Sequence, residues 1–148
     1  MARYLFFERS YLFNEFEKIC EEYIKNNPQR RIISLASFDF SLDFLKKEKD
    51  KNTLTERYIE LNMMFFEDAL RDAEALFTVC KNHFVIRSKN DIPSFDFFKA
   101  FLNEGQLILF PSDALVTNIK SSLILTPFCS FNECASACAR IKRLIKTF

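Results

Sequence analysis

The sequence predicts an α/β fold, with helices packed on a mixed or mainly parallel sheet of about five strands; an α+β arrangement is the alternative. Short runs of β-branched and aromatic residues alternate along the chain with segments of helical periodicity. Apolar residues make up 49% of the sequence and phenylalanine alone contributes 19 side chains, enough for a large aromatic core. With 148 residues the chain has the usual length of one domain, so residues 1–148 are expected to form a single globular domain.

Arg3 to Phe7 reads as a first strand. Ser10 is a good N-cap, and after it apolar residues recur at Leu12, Phe13, Phe16, Ile19, Cys20, Tyr23 and Ile24, the pattern of an amphipathic helix. Asn26-Asn27-Pro28 should end it, because asparagine tolerates the left-handed conformation and proline cannot continue the ladder. Arg31 to Phe40 resumes as a strand, and the charged run Lys46 to Lys51 reads as a solvated loop.

Thr53 with Glu56 forms a capping box, and the periodicity beyond predicts one long helix to about Lys81. Two apolar rows run along it. Leu54, Tyr58, Leu61, Phe65, Ala69, Ala73, Leu76 and Cys80 make the first, and Ile59, Met63, Phe66, Leu70 and Phe77 the second. His83 to Arg87 follows as a strand. A short helix opens at Ile92-Pro93-Ser94, carries Phe95, Phe98, Phe101 and Leu102, and is capped by Gly105. Leu107 to Phe110 and Ser122 to Leu125 complete the strands. The last helix starts near Asn132 with Cys134, Cys138, Ile141, Ile145 and Phe148 on its inner row.

Composition narrows the chemistry. A single glycine, Gly105, leaves no glycine-rich loop for a nucleotide phosphate. The only histidine, His83, has no partner nucleophile at a recognisable spacing, and no catalytic residue can be assigned. Net charge is +1, which gives no global pull toward nucleic acid or membranes. Cys20, Cys80, Cys129, Cys134 and Cys138 lack zinc-knuckle spacing and fall on apolar faces, so core thiols in a reducing compartment are expected. The apolar start, Met1 to Phe7, is short for a signal sequence or a membrane span, so a cytoplasmic or otherwise intracellular location is expected.

These features favour a protein-interaction module without assigned chemistry. Its second helix row (Ile59, Met63, Phe66, Leu70, Phe77) has no evident cover, and a symmetric homodimer or another protein partner would supply one. An alternative is a small divalent-metal enzyme acting on a phosphate-containing substrate. Glu8, Asp39, Asp43 and Asp113 lie at predicted strand ends, where a parallel sheet would gather them on one rim. Turn formation explains the same acids without a metal, and no metal or cofactor is assigned. A second alternative is accessory nucleic-acid binding through Arg140, Lys142, Arg143 and Lys146, cations that also complement a helix C-terminus.

Overall fold

Ser10 to Asn26 forms helix α1, which buries Phe16 and Cys20 and half-buries Leu12, Phe13, Ile19 and Tyr23. The structure, a computed structural model, describes residues 10–36, 52–79, 83–114, 120–127 and 129–148. The expected strand at Arg3 to Phe7 and the charged loop from Lys46 to Lys51 therefore lie outside the described residues. Asn27 stops α1 by donating its side-chain amide to the Tyr23 carbonyl at 2.9 Å, so no left-handed residue is needed there.

Strand β1 is Ile33–Ser34, and it runs parallel to β4, Leu107–Ile108. Its flanking amides continue the pairing: Ile33 N–H donates to Gln106 at 3.0 Å and Leu35 N–H to Ile108 at 2.8 Å. A second sheet has four antiparallel strands in the order β2-β3-β6-β5. They are β2 (Phe77–Val79), β3 (Phe84–Arg87), β5 (Phe110–Pro111) and β6 (Ser122–Leu125). The fold is thus mixed α/β, with its parallel pairing confined to one short pair and the larger sheet antiparallel.

The predicted strand Leu107 to Phe110 serves both sheets. Leu107 and Ile108 pair with β1, whereas Phe110 and Pro111 pair with β6. Leu35 joins the two sheets from the other side, because its carbonyl accepts the Thr126 amide at 2.8 Å just past the end of β6.

The long predicted helix does not persist. Helix α2 covers Asn52–Ala69, a tight 3-10 stretch follows over Arg71–Leu76, and Phe77–Val79 becomes strand β2. Phe77, Thr78 and Val79 are aromatic or β-branched, and cross-strand pairs with Ile86, Val85 and Phe84 outweigh a helical continuation.

Helix α3 spans Ser94–Gly105 and packs against the last helix and strands β4 to β6. Phe97, Phe98, Phe101 and Leu102 recur at helical spacing and are all enclosed, each contributing about 1.5–3 kcal/mol of burial. The cap at its end differs from expectation. Gln106 takes the left-handed conformation (φ 52°), while Gly105 is the last helical residue, where a Cβ would lie 2.5 Å from Leu144 Cδ1.

The final helix, α4, is Phe131–Thr147, opened by a capping box between Ser130 and Glu133. Cys134, Ala137, Cys138, Ile141, Leu144 and Ile145 form its buried face. Helix α2 packs beside it and is fixed there by Asn62, a buried amide that donates to the carbonyls of Pro127 and Cys129, both at 2.9 Å. Two aromatic groups fill the core. Phe16 meets Phe98 at 5.0 Å and Phe110 at 4.8 Å between ring centroids, and Phe84 meets Phe66 and Phe77 at 5.8 and 5.7 Å.

Candidate functional site

The apolar row proposed as an interface is core. Phe66 and Leu70 are 0% exposed, and Met63 and Phe77 are each 8% exposed, covered by the chain's own elements. Phe66 and Phe77 close on Phe84 of β3, so the row has the cover that a second copy was expected to give. The side chain of Ile59 lies outside the described residues. The opposite row is the open one: Leu61 is 64% and neighbouring Met64 67% exposed, while Phe65 rests edge-on against Phe131. Periodicity located two faces of α2 correctly and could not say which one the sheet would cover.

The acidic rim does not assemble among the described residues. Asp113 accepts a hydrogen bond from Ser94 Oγ at 2.8 Å, and its own amide donates to Ser94 Oγ at 3.1 Å. This ties the turn after β5 to the start of α3. Glu8, Asp39 and Asp43 lie outside the described residues, and no group of three His, Cys, Asp or Glu side chains that could hold a metal occurs within them.

The basic cluster divides into two pairs. Arg140 donates to the carbonyls of Gly105 at 3.0 Å and Arg31 at 3.2 Å, and Arg143 to that of Glu104 at 3.1 Å. These arginines satisfy the C-terminal carbonyls of α3 and hold the approach to β1, a structural duty. Lys142 and Lys146 instead edge a cavity of about 350 Å³, joined by Lys89, Leu70, Leu76, Ile145 and Asp72. A smaller cavity of about 180 Å³ lies between α1 and β4, lined by Phe16, Cys20, Ile108 and the carboxylates of Glu17 and Glu21.

Cys20, Cys129, Cys134 and Cys138 are free thiols, and Cys134 and Cys138 are buried as the helical spacing predicts. Cys129 precedes the Ser130 cap and Cys134 lies one turn inside α4, the two positions of a hydrophobic staple. A hydrogen bond with Cys134, then burial and the nearby Glu133, push the Cys129 thiol far above its ordinary value. At Cys134 the bond with Cys129 acts downward but is outweighed by the bond with Cys138 and by burial, leaving it at about 12. Burial, then Glu17 and Glu21, raises Cys20 to about 12. Such thiols are poor nucleophiles at neutral pH. His83 is half-buried and held below its ordinary value by desolvation.

No protein-family model matches the sequence, and no curated protein does. Solved structures match the fold. An aromatic aminotransferase from Pyrococcus horikoshii superposes with a TM-score of 0.52 at 14% identity, over 62% of this chain and 25% of that one. A PLP-dependent aminotransferase from Streptococcus suis gives 0.55 at 15% identity, over 65% of this chain and 26% of its own. An aspartate aminotransferase from Thermotoga maritima gives 0.55 at 15% identity, over 69% and 27%. At this identity the likeness is one of fold, and the chain spans about a quarter of the length of these neighbours. The reading as a self-associating interaction module is corrected: its row is core, and the solved structures that share the fold are aminotransferases.

Pyridoxal phosphate is held in enzymes through a lysine amine, with an Asp or Arg partner at the pyridine nitrogen and amides at a helix N-terminus for the phosphate. The described residues do not fit it. Every described lysine is exposed, at positions 18, 25, 89, 99, 120, 142 and 146. At the start of α3 the Ser94 hydroxyl bonds the Asp113 carboxylate, an anion already beside that helix end, and the N-terminus of α4 is filled by its own capping box. No helix of the described residues is long and apolar enough to cross a membrane.

Proposed function

We propose that the chain, as one domain, forms part of a PLP-dependent aminotransferase-type enzyme, building an α/β unit of that fold, with the cofactor held elsewhere in the enzyme. The observation that carries this reading is the superposition on aminotransferases over roughly two thirds of this chain and a quarter of theirs. The failed fit to the cofactor supports the division of labour: the buried positions of the unit are taken by aromatic and aliphatic side chains, not by a lysine with an acidic partner. Free thiols at Cys20, Cys129, Cys134 and Cys138 support a reducing, intracellular compartment.

The test uses the tagged chain recovered from its own cells under native conditions and, separately, the recombinant chain alone. The native material should transfer amino groups between amino acids and 2-oxo acids only when PLP is supplied or retained. The recombinant chain should do neither this nor acquire a borohydride-fixed PLP adduct on Lys18, Lys25, Lys89, Lys99, Lys120, Lys142 or Lys146 at equimolar cofactor. Native material without PLP-dependent transfer would overturn the reading. A single stoichiometric adduct on one of those lysines would overturn the placement of the cofactor elsewhere in the enzyme.

A further inference from the structure

The cavity between the end of α4 and the 3-10 stretch has an apolar floor and a cationic mouth. Leu70 and Ile145 are buried and Leu76 is half-buried, so the base is aliphatic. Lys142 and Lys146, one helical turn apart on α4, stand at the rim with Lys89 from the turn between β3 and α3. Lys89 Nζ donates to the Lys146 carbonyl, which ties the two elements together across the mouth. Asp72 is the one acid of the lining among the described side chains, and the nearby Asp68 is already paired with Arg71 at 3.1 Å.

The C-terminal dipole of α4 accounts for Lys142 and Lys146. The same helix end also accounts for Lys89, whose ammonium caps the Lys146 carbonyl, but not for an aliphatic depression beneath three like charges. Three ammonium groups around an apolar floor repel one another and are relieved by an anion whose body fills the floor. The volume of about 350 Å³ suits a small ligand and is at the lower end for such sites.

We infer that this cavity binds a small anion carrying an aliphatic body, of the class of medium-chain carboxylates or alkyl phosphates, with its head among Lys89, Lys142 and Lys146 and its chain on Leu70, Leu76 and Ile145. Lysine presents a point charge, so both head groups share the chemistry. The inference does not depend on the aminotransferase reading, since it concerns only residues of the described unit and needs no PLP.

Binding is read by amide and methyl NMR shifts on the recombinant full chain, titrated with octanoate, octyl phosphate, octanol, acetate and octylammonium below their aggregation limits. Octanoate or octyl phosphate should saturate and shift Leu70, Leu76 and Ile145 signals, and the tighter of the two names the head group. Octanol and acetate should each bind at least about tenfold more weakly, and octylammonium should not saturate. K142E/K146E, both on exposed positions, should weaken the anion by about tenfold or more with an unchanged far-UV spectrum, and K89A, which also removes the bond to the Lys146 carbonyl, should weaken it with the far-UV spectrum likewise unchanged. Octanol binding as well as octanoate, saturation by neither anion, or shifts confined to residues away from this cavity would each overturn the site. If the double variant fails to fold, the K89A result alone decides, and full anion affinity in that variant overturns the role of the cationic mouth.

Discussion

Asn62 illustrates what one polar group can do in an apolar interior. Its amide is enclosed between α2 and the segment leading into α4, and its two donor bonds satisfy the carbonyls of Pro127 and Cys129. Asn62→Leu keeps the branched shape, though it is bulkier, and strands both carbonyls, so stability should fall by about 1–3 kcal/mol. The midpoint of urea unfolding measures this, and an unchanged midpoint would mean that the carbonyls find other donors. A second pair of residues separates conformational from steric uses of glycine. Gly105 was legible as a helix end, but the left-handed residue is Gln106, and Gly105 is small because Leu144 Cδ1 would sit 2.5 Å from a Cβ. Gln106→Gly should therefore stabilise the protein by up to about 1 kcal/mol by removing the left-handed cost. Gly105→Ala should destabilise it by about 1–3 kcal/mol through overpacking, and trimming Leu144 should partly offset that loss. The opposite order of effects in thermal denaturation would return the cap to Gly105.

At the scale of elements, local signals sufficed where the sequence carried a cap or a clean alternation. Helix α4 starts within a residue of the expected Asn132, and Phe84 to Arg87 and Ser122 to Leu125 are strands where expected, paired antiparallel at the centre of the sheet. They failed where pairing partners decide. No glycine or proline lies between Leu70 and Phe77, so nothing local announces the end of α2; strand β3 draws Phe77 to Val79 into the sheet. Leu107 to Phe110 reads as one strand because both halves are apolar, and only the positions of β1 and β6 divide it around Leu109. The candidate cavity was half legible: Lys142 and Lys146 stood out in a basic cluster, whereas Lys89 reaches them only through the fold. The reversed assignment of the α2 rows makes a sharp test. Met63→Glu with Phe66→Glu puts two carboxylates into the core beside Phe84, so the variant should be unfolded by circular dichroism. Leu61→Glu with Met64→Glu, on the open face, should leave the melting temperature nearly unchanged. A folded, monomeric Met63/Phe66 variant would restore the interface reading.

For the whole molecule, the perturbed side chains set the two flanks of stability against pH. His83 is held below 6.5 in the fold because burial disfavours the imidazolium. Between its folded value and 6.5 the unfolded chain binds more protons than the native one, so stability falls as pH drops through that window. The thiols act at the other end with the opposite order. Cys20 and Cys134 stand at about 12 in the fold against 9.0 when unperturbed, so above that lower value the unfolded chain loses protons first. Stability contributed by the buried neutral thiols is thus complete below 9.0 and is lost as pH rises toward 12. The protein should be most stable between these flanks, from near neutrality to mildly alkaline pH. Equilibrium denaturation across the range measures the slopes, and substitutions assign them. His83→Asn should flatten the acid flank above the range where carboxylates titrate, and Cys20→Ala should reduce the slope on the alkaline flank even if it lowers stability at every pH. An acid slope that survives His83→Asn unchanged would assign that flank to other groups. An alkaline slope unaffected by Cys20→Ala would show that α1 opens before its thiol ionises, so that Cys20 titrates as it does in the unfolded chain.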